Sequence, residues 1–425
     1  MDSLYHGTFL VKLIIFVTCS ILFLAMIRGG LSDGGIPGII FSNGITWVEN
    51  RRTCLHILRN FGLGKNVMEE MIDDEVNKLL QHIDDQWIDT QLDVSRFFNI
   101  TVLGSLWRVL SGESLKVNDP KLIDLLKKTK LMTEEAGNPL VAITENFPLV
   151  FKFLNQIGII VILKYIDEVV QFCKEPIESC KGQDIDGENP LTFIEAMLHK
   201  IQTTNDIKNP LHGKTGELNL LNVLIDFFFA GSDTTSNTLN WAMLFMITHP
   251  DVQSKVRKEL LTKVGTNRVK MSDRELTPYT EAVIHEIQRK GNIAPLSVFH
   301  FTRSSITITG NLNIPCNTSI IPMIGEIMHD PEHFPNPMDF NPERYLITMD
   351  DGTLKFTPHP RVVPFGLGKR RCLGENLARM TLYKFFTAII QKYQIVSGQD
   401  ELLSETPNGG FVQAPLPYKL KFLKL

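Results

Sequence analysis

Apolar residues fall into three patterns along this chain. The first is a continuous run: from Leu13 to Ile27 (LIIFVTCSILFLAMI) no residue is charged. A helix there is about 22 Å long at ~1.5 Å per residue, and about 28 Å if it starts at Phe9, against a hydrocarbon core of ~30 Å. Lys12 then snorkels back to the head groups. The run predicts a membrane signal anchor within residues 1–28, with a cleaved signal peptide ending near Gly29–Gly30 as the rival. Residues 29–38 (GGLSDGGIPG) read as a flexible joint.

The second pattern is helical. Asn66–Ile83, Phe97–Leu110, Leu122–Met132 and Glu375–Tyr393 carry apolar residues at helical spacing, and Tyr279–Lys290 reads as an amphipathic helix. Leu218–Ile247 is apolar on nearly every face of its first half, which predicts a helix buried in a large protein. Lys174–Asn189 and Thr203–Glu217 are polar and predict exposed loops. The third pattern is short and β-branched. Between Phe301 and Ile321 it predicts small strands broken at Gly310–Asn311 and Pro315. Pro331–Pro342 is a proline-punctuated meander, and Phe411–Leu425 alternates like a hairpin. The sum is a mainly α fold with small β-sheets.

Composition narrows the function. Lys+Arg is 43 against Asp+Glu 47, a net charge of -4. That near-balance argues against bulk nucleic-acid binding, which needs a strong positive field. The 26 Phe against 7 Tyr point to an apolar interior. Six cysteines in 425 residues, with no C-x-x-C pair, are neither a disulfide scaffold nor a zinc site. They place the bulk of the chain on the reducing, cytosolic side, although Cys173 and Cys180 could pair in an oxidising compartment.

The chemistry concentrates in Pro364–Gly374, PFGLGKRRCLG. Cys372 stands just before a predicted helix, whose amides stabilise a thiolate. Gly368 and Gly374 allow a flat body close to the backbone. Arg370 can meet an anionic group, and Phe365 can shield the sulfur. A thiolate in that setting suits a haem iron; a structural cysteine in a glycine-rich turn has the same local pattern.

The pattern F-x-x-G-x-R-x-C-x-G, filled by Phe365, Gly368, Arg370, Cys372 and Gly374, resembles the signature of the cytochrome P-450 haem-thiolate monooxygenases. Three further motifs carry the resemblance. E-x-x-R at Glu286 and Arg289 places both side chains on one helical face, and the family pairs them with an arginine of the later meander, here Arg344. Ala230–Thr235 (AGSDTT) puts a Gly, an acid and alcohols inside a buried helix, at a cost of up to ~1 kcal/mol at the Gly. The resemblance implies that Thr234 orients dioxygen and water, that Asp233 relays protons, and that Ala230 lies against the haem. W-x-x-x-R at Trp47 and Arg51 supplies two donor-only groups of the kind that meet haem propionates, and His300 resembles another propionate contact. FSNGITW, DPEHFPNP, NPERYL and ENLARM are similar to the microsomal family-2 type.

This resemblance implies a P-450 fold over residues 39–425, haem b ligated by the Cys372 thiolate, and insertion of one oxygen atom from O2 into an apolar lipid, steroid or xenobiotic. Electrons would come from an NADPH-dependent flavoprotein reductase, with a cytochrome b-type protein as a further donor, at the cytosolic face of the endoplasmic reticulum membrane. Lys369, Arg370, Arg371 and Lys384 form a candidate cationic docking face. One departure stands out. The joint leads almost directly to Trp47, without the early helices and strands usual in the family. Strands near Ile306–Ile308 and Thr318–Ile321 are therefore expected to lack neighbours. A non-catalytic haem-binding or misfolded remnant is the alternative.

Overall fold

The computed structural model describes residues 37–61, 66–93, 98–135, 162–182, 185–186, 189–298, 300–409 and 412–425; the expected anchor and nearly all of the joint lie outside them. Among the described residues no helix is long and apolar enough to cross a membrane. The chain divides into two compact units. The first runs to Ser236 and returns with Leu373–Phe385; the second takes Asn237–Cys372 and Phe386–Leu425.

The first unit is helical: α1 (Gly44–Asn60), α2 (Asn66–His82), α3 (Asn99–Ser111), α4 (Pro120–Glu135), α5 (Ile162–Lys181), α6 (Phe193–Thr203) and the start of α7 (Gly213–Thr248), with a two-residue strand β1 (Leu92–Asp93) between α2 and α3. Apolar residues at helical spacing form its core, for instance Ile72, Val76 and Leu79 of α2 and Leu103, Trp107 and Leu110 of α3. Trp107 lies 4.5 Å from the Phe172 ring and 6.4 Å from Phe228 of α7. The loop expected over Lys174–Asn189 begins later than its composition implies, because α5 continues to Lys181. Val169, Cys173, Ile177 and Cys180 repeat along one buried face, and the polar residues between them face solvent. Cys173 and Cys180 remain thiols, and burial pushes both upward in pKa.

Helix α7 confirms the buried central helix, but its interior is not purely apolar. Asn219, Asn222 and Asp226 are all buried. The Asn219 Oδ1 accepts from Gly38 N at 3.2 Å and Asn50 Nδ2 at 2.7 Å. One carboxylate oxygen of Asp226 takes the amides of Ile39 at 2.6 Å and Ile40 at 3.2 Å. These polar side chains give the bent, irregular segment before α1 the hydrogen-bond partners that no regular element supplies.

The second unit holds the end of α7, then α8 (Pro250–Lys263), α9 (Pro278–Gly291), the short α10 (Ile324–Met328) and the end of α11 (Glu375–Lys392). Helix α9 is not amphipathic as expected: Glu281, His285, Glu286, Gln288 and Arg289 are buried along with its apolar residues. Its polar positions face partners, not water. Small antiparallel pairs complete the unit: β2 (His300–Phe301) with β5 (Ser319–Ile320), β3 (Ile306–Ile308) with β4 (Leu312–Ile314), and β6 (Leu346–Thr348) with β7 (Leu354–Phe356). The β3–β4 turn uses Gly310 at φ 79° and Asn311 at φ 64°, which fits a tight hairpin. Ile306, Ile308, Leu312 and Phe301 stay exposed, in line with the expected loss of neighbours.

The tail departs from its expected hairpin. Strand β9 (Lys419–Lys424) pairs not with its own preceding residues but with β8 (Tyr393–Ser397), Ile395 opposite Phe422. The alternation in the tail matches that of β8, so Leu420 and Phe422 join Tyr393 and Ile395 on a buried face. Gln253 fastens β8 to α8: its Nε2 donates to Ile395 O at 3.0 Å, and its Oε1 accepts from Ile395 N at 2.8 Å.

Asp226→Ala is expected to release Ile39 and Ile40, at a loss of about 1.5–3 kcal/mol of local stability. Amide hydrogen exchange at those two residues reads it directly; unchanged protection would refute the pinning role.

Candidate functional site

Helix α7 carries the first group. Gly231 is where Leu106 of α3 packs closest: a Cβ there would run into the Leu106 side chain. That contact explains a glycine inside a long helix. Two residues later, Asp233 is reached from α3. Its Oδ1 accepts from Asn99 Nδ2 at 2.9 Å and from Ser232 Oγ at 3.4 Å. Burial raises the Asp233 carboxyl to about 6, opposed by Ser232, the charge of Lys130 on α4, and Asn99. Thr234 Oγ1 donates back to Ala230 O at 2.7 Å, the intrahelical bond that loosens a turn for other partners.

Trp47 and Arg51 lie one turn apart on α1, with the guanidinium 6.0 Å from the indole centroid. Both are half-buried, so one face of α1 presents two stacked donors. Gly374 opens α11 by accepting Ala378 N at 2.9 Å. These residues, with Ala230, Asp233 and Thr234, all belong to the first unit.

The second unit gathers Glu286, Arg289 and Arg344. Glu286 and Arg289 have no side-chain exposure and form a two-pronged pair, Nε to Oε2 at 2.7 Å and Nη2 to Oε1 at 2.9 Å. Arg344 Nε lies 3.5 Å from Glu286 Oε1. The same carboxylate takes Asn341 N at 2.9 Å and Tyr345 Oη at 2.6 Å. Arg289 also donates to Met328 O and Asp339 O, and Arg344 to Pro335 O and Asn336 O. Burial acts to lower the Arg289 pKa, but the hydrogen bonds and charge of Glu286 outweigh it and hold the guanidinium above its usual value. Burial and Glu286 push the Tyr345 phenol upward, so it stays a donor. Sequence reasoning missed Tyr345, although it ends the NPERY motif beside Arg344.

The Cys372 loop is built by backbone. Gly366 and Gly368 take φ values of 69° and 73°, a left-handed geometry open to glycine. Cys372 N donates to Phe365 O at 2.9 Å and Arg371 N to Gly368 O at 3.2 Å. The loop folds back on itself and leaves the cysteine side chain exposed, with Arg370 half-buried beside it in sequence. A Cβ on Gly368 would meet nothing within 4 Å. His300 stands apart on β2, its Nδ1 2.7 Å from Val298 O.

Two other clusters bear on function. Lys384 does not belong to a cationic docking face: its side chain is 2% exposed and pairs with Glu69 at 3.0 Å and Asp73 at 2.8 Å on α2. Asp330, Glu332 and His333 bring their ligand atoms within 4.8 Å of one another. Asp330 already caps Glu332 N at 3.0 Å and faces Arg361 at 4.0 Å, so that group is explained by its own partners.

A family model described as Cytochrome P450 matches residues 31–422. Cytochrome P450 2C3 of Oryctolagus cuniculus is 33% identical over 394 residues, covering 91% of this chain and 77% of the relative. Cytochrome P450 2J5 of Mus musculus is 34% identical over 397 residues, with 91% and 75% covered. Cytochrome P450 2A13 of Homo sapiens is 32% identical over 392 residues, with 91% and 76% covered.

Glu286→Ala strands the Arg289 guanidinium in the interior and is expected to cost about 3–5 kcal/mol. Tyr345→Phe removes one donor and is expected to cost about 1–2 kcal/mol. Chemical unfolding of both variants tests the order; equal losses would refute Glu286 as the hub.

Proposed function

The chain belongs to the cytochrome P450 family of haem-thiolate monooxygenases, and we propose from that membership that it oxidises an apolar organic substrate with Cys372 as the iron's ligand. Proteins of this family hold haem b through a cysteine thiolate. The observation that carries the assignment is the exposed Cys372 side chain on a loop shaped by two left-handed glycines. The remaining donors suit the group's edge. Trp47 and Arg51 offer N–H donors from one face of α1, and Arg370 and His300 are the further candidates for its carboxylates. Phe365, Gly368, Gly374 and Ala230 supply apolar or small surfaces for a flat macrocycle.

When bound, haem supplies the activation of dioxygen with two electrons taken singly, one oxygen atom passing to the substrate and the other leaving as water. The chain's own residues handle the protons. Asp233, raised to about 6 by burial, is poised to hold and release a proton near neutral pH. Thr234 presents a hydroxyl one residue on; its proton goes to Ala230 O, which fixes the rotamer and leaves the oxygen's lone pairs to accept. The Glu286–Arg289–Tyr345 network serves as scaffold for the second unit.

The substrate is read as a lipid, steroid or xenobiotic, the class that the family resemblance implies. Electrons are assigned to an NADPH-dependent flavoprotein reductase, with a cytochrome b-type donor as its supplement. Lys369 and Arg371, both exposed, keep the docking role that Lys384 loses. Residues 1–28 are read as the anchor to the endoplasmic reticulum membrane, residues 29–38 as the joint, and residues 39–425 as the catalytic domain on the cytosolic side.

Purified full-length chain supplied with haem is expected to give a thiolate-type Soret band in the reduced, carbon monoxide-treated form, and Cys372→Ala to lose it. A band that survives this substitution unchanged removes Cys372 as ligand; no band in the parent favours the non-catalytic reading. Thr234→Ala is expected to divert oxygen consumption from product to peroxide and water. Equal product per oxygen in variant and parent would take Thr234 out of proton delivery.

A further inference from the structure

Asn99 was not singled out by any motif, yet it makes the shortest hydrogen bond found on Asp233, 2.9 Å from Nδ2 to Oδ1. It is the first residue of α3. Its own Oδ1 is buried and has no hydrogen-bond partner among the described residues. A buried acceptor left without a donor is unfavourable, so its retention calls for an explanation. The packing around it is firm. Two turns along α3, Leu106 fills the notch at Gly231, and Trp107 sets its ring edge-on to Phe228. The register between α3 and α7 is therefore held by rigid elements on one side of the Asn99–Asp233 pair.

We propose that Asn99 is a positioning residue for Asp233, an amide that serves the acid in both of its protonation states. This rests on the reading of Asp233 as a proton carrier. When Asp233 is ionised, the Asn99 amide donates to its Oδ1, as the structure shows. When Asp233 carries a proton, a half-turn of the amide brings the unpartnered Asn99 Oδ1 round to accept the new O–H. A carboxamide offers a donor and an acceptor on one planar group. Leucine offers neither, and a carboxylate at this position lacks the donor. The proton that leaves Asp233 is regained from water, so the amide itself is unchanged over the cycle. The other groups bearing on the carboxyl are the Ser232 hydroxyl on α7 and the Lys130 charge on α4. Neither can accept from it and donate to it in turn in the same way: Lys130 is a donor only, and Ser232 lies 3.4 Å away.

Asn99→Leu, close in size, removes both functions, and Asn99→Gln restores the amide. Infrared spectroscopy of the carboxyl band, taken as the difference from Asp233→Asn, follows the Asp233 titration without turnover. The charge-assisted bond to the carboxylate is stronger than the neutral bond from the protonated acid, so Asn99→Leu is expected to move the midpoint upward by the difference, roughly half a pH unit, and Asn99→Gln to bring it part of the way back. Product formed per oxygen consumed is expected to fall several-fold in Asn99→Leu, and to fall no further when Asn99→Leu is added to Asp233→Asn. An unchanged midpoint in Asn99→Leu, or full additivity in the double variant, would overturn the proposal. A shifted midpoint with normal coupling in Asp233→Asn would instead show that Asn99 holds the acid while the acid has no part in proton delivery.

Discussion

One buried carboxylate organises the second unit. Glu286 has no exposure and gathers an arginine fork, a phenol and a backbone amide on its two oxygens. An isolated charge in such a place would be prohibitively unfavourable. It is tolerated because each lone pair meets a donor and because Arg289 in turn donates two further N–H groups to the carbonyls of Met328 and Asp339. Such a pair adds little net stability over an apolar replacement. Its effect is directional: helix α9, the end of α10 and the meander through Tyr345 can meet in only one arrangement that leaves no charge orphaned.

The first unit meets a related problem on a single helix. Helix α7 is apolar enough to be buried, but buried helices give irregular neighbours no hydrogen-bonding surface. Asn219 and Asp226 provide it for Gly38, Ile39 and Ile40. Asp233 is a further polar residue of α7, half-buried where Asp226 is buried, and it differs in one more respect. Asp226 accepts two backbone amides that hold its oxygen, whereas Asp233 is met by a side-chain amide and a more distant hydroxyl. Fixed donors favour one charge state; an adaptable partner leaves the proton free to come and go.

Much of this was legible in the chain. Dense motifs around Cys372, Glu286 and Thr234 pointed to the family, and the largely apolar first half of α7 pointed to a buried helix. What misled was polarity read as exposure. The charged residues after Lys174 occupy the wet side of α5, and the buried acids of α9 meet partners near in sequence, Arg274 and Arg289, as well as distant ones, Asn341 and Tyr345. Lys384 looked like a surface cation for the same reason; only the approach of Glu69 and Asp73 from α2 accounts for its burial. The pairing of β9 with β8 was beyond an alternation pattern, which gives the buried face but not the partner. Asn99 carried no signal, because nothing local distinguishes it from an ordinary residue at a helix start.

The spacing of the Glu286 partners also sets an order of events during synthesis. Glu286 and Arg289 emerge three residues apart, and α9 can pair them as soon as it winds. Asn341 follows 55 residues after Glu286, and the Tyr345 hydroxyl 59 residues after it. A closure over that separation carries a large loop entropy before any contact repays it. Until Tyr345 has left the ribosome, the nascent chain therefore holds a half-satisfied ion pair, and the second unit completes its interior only in the late stage of translation.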